Sequence, residues 1–228
     1  MTHINQQHIL QTLAEVSTLA DQQGSKAPLV LAVSKTRSAE EVQQAHEAGL
    51  CHFGENYLQE ALDKISQLKS SDICWHFIGP IQSNKTRAIC EHFDWVHSVD
   101  RFKIAQRLSD QRPNDLPPLN VCIQVNIDEE KSKSGVNPRD CLSLAQQILL
   151  LPNIQLRGLM CIPKAAPNKA DKAFGKMAAL LTDLQGQLPE VLSLDTLSMG
   201  MSNDYPLAMK QGATIIRLGT VLFGPRNN

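Results

Sequence analysis

Apolar residues along the chain follow two spacings. Between residues 3 and 23, Ile9, Leu13, Val16 and Ala20 recur every three or four positions, the stripe of an amphipathic helix, and Gly24 stands where that helix ends. After it, short apolar runs occupy positions 29–34, 51–54, 74–78, 95–99, 119–127, 155–162, 194–199 and 214–218. Helical patterns separate them, among them 39–48 closed by Gly49 and 171–188 closed by Pro189. Strict alternation of strand and helix implies parallel pairing through crossover connections. Eight such units in about 200 residues predict an α/β protein, a single (β/α)8 TIM barrel with an additional N-terminal helix. Periodicity by itself leaves an open doubly wound sheet as the alternative. No shift of composition or long linker interrupts the pattern, so residues 1–228 are expected to form one domain. The polar segment 126–138 breaks the apolar rhythm after the fifth strand and is expected to be a mobile loop on the C-terminal rim, either a lid or a solvated connection.

Composition narrows the classes of partner. Lys and Arg total 22 against 23 Asp and Glu, so no bulk positive field is available to hold nucleic acid or an anionic membrane. The longest apolar runs are about a quarter of the roughly 20 residues a spanning helix needs. The N-terminus lacks the basic start and apolar stretch of a secretory signal, which predicts a cytoplasmic protein. Six cysteines at intervals of 16 to 32 residues form no C-x-x-C pair and no zinc-like spacing with histidine. They read as reduced core residues, the seven histidines as scattered, and no metal site is expected.

Candidate chemistry gathers at strand ends. Lys35 follows the first strand at the end where barrel enzymes place reactive groups. Desolvation disfavours an ammonium's charge, so an amine in that place is available to attack an aldehyde. Ser202 follows the seventh strand and is placed to cap a helical pattern through Lys210, while Gly219 and Thr220 follow the eighth. Each segment offers backbone N–H groups and a hydroxyl where a helix begins, the arrangement that holds a phosphate. Taken singly, each reads rather as a tight turn or a capped helix, and Lys35 rather as a rim lysine with its head in water. In a closed barrel the eighth strand lies beside the first, and an amine and an anion cradle then share one pocket. Arg217 would otherwise pair with Glu55 or Asp204 at the rim.

The segments Ala32-Val33-Ser34-Lys35-Thr36, Phe53-Gly54-Glu55-Asn56-Tyr57, Trp75-His76-Phe77-Ile78-Gly79, Ser132-Lys133-Ser134-Gly135, Arg157-Gly158-Leu159-Met160, Leu197-Ser198-Met199-Gly200-Met201-Ser202 and Arg217-Leu218-Gly219-Thr220 closely resemble the YggS/PROSC family of pyridoxal 5′-phosphate (PLP) homeostasis proteins. The resemblance runs nearly end to end. It implies a barrel like the N-terminal domain of alanine racemase, with PLP bound as an imine on Lys35. By the same resemblance, the phosphate lies against Ser202, Gly219 and Thr220, Arg217 faces the pyridine nitrogen, Asn56 lies near the phenolic oxygen, and His76 and Met199 line the pocket. Where the family commonly has Lys two places after the Schiff-base lysine, this chain has Arg37.

A guanidinium donates only, so beside the ring nitrogen it keeps that nitrogen unprotonated and weakens the ring as an electron sink. The chain also ends soon after the eighth strand, without the second domain that supplies alanine racemase with its opposing acid, and its only tyrosines are Tyr57 and Tyr205. These points favour a PLP carrier of the vitamin B6 economy, without strong activity of its own, that is monomeric and passes PLP transiently to apo-enzymes. A low-activity PLP-dependent racemase or lyase is the alternative, and a Schiff-base aldolase acting on a sugar phosphate is a third.

Overall fold

The computed structural model describes residues 5–68, 72–130, 133–164, 167–188 and 194–225. Eight strands, β1 (Leu29–Val33), β2 (His52–Glu55), β3 (Cys74–Phe77), β4 (Trp95–Val99), β5 (Leu119–Gln124), β6 (Ile154–Met160), β7 (Thr196–Met201) and β8 (Ile215–Leu218), pair in parallel in chain order. β8 returns to β1 with Leu31 opposite Arg217 and Ala32 opposite Leu218, so the sheet closes and the open alternative is excluded. Closure leaves no strand edge exposed.

Helix α1 (Gln6–Gln22) precedes the barrel. Its Asn5 cap accepts from the His8 N–H, and Gly24, at φ 63, lets the chain turn out of it. Its buried stripe is Ile9, Thr12, Val16 and Ala20, with Leu13 only half-buried, a rotation set by packing of α1 against the end of the chain. There His8 Nε2 bonds the carbonyl of Val221 at 2.7 Å, in the short helix α9 (Thr220–Phe223). Between the strands run α2 (Ala39–Glu47), α3 (Leu58–Gln67), α4 (Thr86–His92), α5 (Phe102–Gln111), α6 (Cys141–Leu149), α7 (Pro167–Gln187) and α8 (Tyr205–Lys210). α2 begins with a full capping box between Ser38 and Glu41. Pro189, expected to stop α7, lies outside the described residues. Apolar side chains of the helices and strands, among them Phe53, Phe93, Ile104 and Phe174, form one contiguous core.

β5 stops at Gln124, short of the expected 127, because the chain there turns from the barrel to its own loop: the Asn126 N–H donates to Val136 O and the Val136 N–H to Gln124 O. The polar loop is strapped at its tip. Lys133 and Lys164 both pair with Glu130, at 2.9 and 3.7 Å, and Asp128 accepts the Lys164 N–H. Lys131 and Ser132 lie outside the described residues. All six cysteines are free thiols.

Candidate functional site

The C-terminal ends of β1, β2, β7 and β8 open onto a cavity of about 490 Å³, a size suited to a small ligand. Lys35, Asn56, Ser202, Arg217, Gly219 and Thr220 share its wall, with Val33, Ile78, Met160 and Ile162 supplying apolar surface. Six of the eight expected site residues are thus brought together, by the pairing of β8 with β1.

The turn that carries Lys35 is anchored from below. The Ser34 hydroxyl donates to Glu55 Oε1 at 2.6 Å, and Lys64 Nζ donates both to the same oxygen at 2.6 Å and to the Ser34 carbonyl at 2.7 Å. Glu55 is fully buried and Lys64 nearly so. Burial pushes the Glu55 carboxyl above its ordinary value, against the pull of the Lys64 ammonium and its hydrogen bond. Beyond Lys35, Thr36 adopts φ 63, a left-handed conformation that a β-branched residue holds only under constraint. The constraint is visible: its N–H donates to Glu60 Oε2, and the Arg37 N–H closes the turn on Ser34 O. Arg37 bonds Glu41 and reaches the carbonyls of Gly224 and Pro225, which fastens the last described residues to the start of α2.

Opposite Lys35, the backbone N–H groups of Gly219 and Val221 both donate to Ser202 Oγ at 3.3 Å. Ser202 therefore does not cap α8 as expected. Asp204 holds that position, its carboxylate accepting the Met201 N–H, and Ser202 is turned across the cavity to the donors that begin α9.

Arg217 is buried, yet its guanidinium forms no ion pair with Glu55 or Asp204; it donates to Ser198 Oγ at 3.0 Å and to the Cys161 carbonyl at 2.8 Å. Glu55 points instead to Lys64. Burial lowers the Arg217 pKa, and no carboxylate among the described residues contacts the group. Behind it, three rings cross the barrel in file: Ser198 Oγ to His97 Nδ1 at 2.7 Å, His97 Nε2 to His76 Nδ1 at 2.9 Å, and His76 Nε2 to His52 Nδ1 at 3.0 Å. The direction of the file follows from its first member. Arginine only donates, so Ser198 is free to give its own hydrogen to His97, and each ring then donates through Nε2 to the next. Burial, then the Arg217 charge, pulls His97 down to about 3, and burial with the neighbouring His97 and His52 holds His76 well below its ordinary value. Both rings are neutral.

Two expected lining residues lie elsewhere. His76 is fully buried one layer down, inside this file, and Met199 is fully buried in the core; neither lines the cavity. Sequence reasoning missed Lys64, His97 and Ser198. The signals were slight: Ser198 falls in the Leu197–Ser202 segment that carries the resemblance, Lys64 falls on the inner face of α3 beside Ala61, and nothing marked His97.

A lysine at the end of β1 that shares a cavity with Ser202, Gly219 and Thr220 from the ends of β7 and β8, in a closed parallel barrel, defines a class, and the chain belongs to it: the alanine racemase N-terminal domain family, whose model matches residues 4–227. Within that class, it is 58% identical over 200 residues to the pyridoxal phosphate homeostasis protein of Pseudomonas aeruginosa, covering 87% of this chain and 84% of that one. It is 48% identical over 204 residues to the protein of the same name from Escherichia coli, covering 87% and 86%. Among solved structures, PipY of Synechococcus elongatus is 38% identical and covers 95% of this chain and 100% of that one, with TM-scores of 0.86 without PLP and 0.84 with PLP bound. Alanine racemase from Corynebacterium glutamicum, at 14% identity and TM-score 0.72 over 98% of this chain and 62% of that one, shares the fold.

Proposed function

We propose that this protein binds pyridoxal 5′-phosphate through Lys35 and serves as an intracellular carrier and regulator of that cofactor. The observation that carries the reading is one cavity joining Lys35, the Ser202, Gly219 and Thr220 wall, and a buried guanidinium that no carboxylate among the described residues contacts. A buried cation of that kind is costly until an anionic ligand arrives. Asn56, on the wall of the same cavity, has its Oδ1 buried without a hydrogen-bond partner, a second group awaiting a ligand. Relatives that carry the cofactor's name, and a PLP-bound neighbour of closely similar fold, support the same ligand.

PLP supplies an aldehyde, which condenses with a primary amine, and a phosphate dianion. Lys35 offers the amine. Ser202, Gly219 and Thr220 offer a hydroxyl pair and helix-start N–H groups for the phosphate, with Val221 as an added donor. Arg217, fixed by Ser198 and Cys161, meets the ring nitrogen as a pure donor and leaves it unprotonated, which weakens amino-acid chemistry. The titratable side chains on the wall support a carrier: Asp204 is held by the Met201 N–H, Arg217 only donates, and neither Tyr57 nor Tyr205 lines the cavity. The carrier acts as a cytoplasmic monomer and hands PLP to apo-enzymes.

Borohydride reduction of the protein after mixing with PLP, followed by peptide mass mapping, tests this. One adduct on the Lys35 peptide is expected, together with a yellow absorbance that Lys35→Ala abolishes. An adduct on Lys26 or Lys164 would overturn the assignment, and a protein that stays colourless would leave the sugar-phosphate aldolase.

A further inference from the structure

The N-terminal face of the barrel, opposite Lys35, carries a second cluster of heteroatoms. His52 and Cys74 open β2 and β3 and sit side by side in register, while His76 lies two residues along β3, on the same side of the sheet as Cys74. His76 Nε2 is 3.0 Å from His52 Nδ1 and 3.4 Å from Cys74 Sγ, and the three ligand atoms lie within 4.8 Å of one another. His52 and Cys74 are half-buried, and His52 borders a cavity of about 400 Å³ on that face, so a hydrated ion has access.

We propose that His52 Nδ1, Cys74 Sγ and His76 Nε2 form a zinc site whose fourth position is open to water. Two imidazoles and a thiolate suit a borderline-soft divalent ion. Bonds of about 2.0–2.1 Å to nitrogen and about 2.3 Å to sulfur, at the tetrahedral angle, separate two nitrogens by about 3.3 Å and nitrogen from sulfur by about 3.6 Å. The separations of His76 Nε2 from His52 Nδ1 and from Cys74 Sγ, 3.0 and 3.4 Å, need to widen by only about 0.3 and 0.2 Å. One outer partner is in place: His76 Nδ1 bonds His97. A thiol that coordinates zinc does so as the thiolate, so the ion displaces its proton.

Binding releases one proton, from Cys74, to water. His76 keeps its single ring proton but must carry it on Nδ1, which turns the file around: His76 then donates to His97, and His97 to Ser198. The Ser198 hydroxyl hydrogen is set free beside Arg217. That orphaned hydrogen is the smaller effect, since one buried hydrogen bond contributes far less than a zinc-ligand set. The floor of the barrel is thereby coupled to the rim through groups that change tautomer but not charge.

Titration of the full-length protein with Zn²⁺ and Co²⁺ tests the site, whether or not Lys35 carries a ligand. One equivalent is expected, with the visible d–d bands of tetrahedral Co²⁺ and a thiolate-to-metal transition. Zinc affinity should rise about tenfold per pH unit, as release of one proton requires. Cys74→Ser and His52→Gln should each lower it at least about tenfold, with near-ultraviolet circular dichroism confirming that the metal-free variants are folded. Cys51→Ser should leave it unchanged. Absence of stoichiometric binding overturns the proposal, as does binding that survives Cys74→Ser. Loss on Cys51→Ser would place the ion instead at the neighbouring His46, Cys51 and Asp72.

Discussion

At Gly79, just past β3, the backbone runs against Asn56, and a Cβ built there would fall on the Asn56 carbonyl oxygen. A backbone neighbour cannot swing aside as a side chain does, so Gly79→Ala must displace the segment that presents Asn56 to the cavity. We expect a loss of about 2 kcal/mol or more in urea unfolding, together with faster loss of the yellow absorbance on dialysis. Unchanged values would mean that the turn slides freely. Gly79 stands in a segment that the sequence analysis singled out, but its reason is a distance between two loops and is invisible in one dimension. Lys35, Ser202, Gly219 and Thr220 were legible because each needs only a strand end to place it. The partners of Arg217 were not, since Ser198 and Cys161 lie 19 and 56 residues from it and meet it only inside the closed barrel.

The alternation of strands and helices was the most legible feature of the chain, because a buried parallel strand and an amphipathic helix leave different periods. The clamp between β1, β2 and α3 shows what that reading leaves out. Lys64 sits one turn beyond Ala61 on the inner face of α3, where a charge reads as an error in the pattern; its reason is Glu55 at the end of β2. Breaking such a pair costs more than the pair contributes, because the remaining charge is buried alone. Lys64→Met is expected to destabilise the protein by about 3 kcal/mol at pH 8. The sign of the pH dependence follows from Glu55, whose folded pKa is raised. Below its ordinary value of about 4.5 the carboxyl is protonated in the folded and unfolded chain alike and the defect is small. As pH climbs through the raised pKa, the unfolded chain ionises freely, the folded one does so at a cost, and stability is lost. Urea midpoints of wild type, Lys64→Met and Lys64→Met with Glu55→Gln, taken across that window, check this. The double variant should flatten the profile, and a pH-independent loss in Lys64→Met would exclude Glu55 as its cause.

Closure of the barrel separates two faces: the rim, where Lys35 meets the anion cradle, and the floor, where the histidine file ends. Racemisation needs a proton removed from one side of a substrate and returned from the other, hence two groups able to exchange protons at the cavity. Among the described residues on its wall, the titratable side chains are Lys35, Asp204 and Arg217; Arg217 is a pure donor, and the Asp204 carboxylate accepts the Met201 N–H. Arg217, placed at the ring nitrogen in the proposed binding mode, would further weaken carbanion stabilisation. The PLP-loaded protein, incubated with L-alanine in deuterated water, should therefore exchange the Cα proton at least about a hundredfold more slowly than the median enzyme turnover of about 10 per second, as followed by proton NMR. Whatever exchange occurs should keep the L configuration, because Lys35 returns the deuteron to the face it took the proton from. Rapid exchange with accumulation of D-alanine would require a second acid and base at the cavity and would make the protein a racemase rather than a carrier.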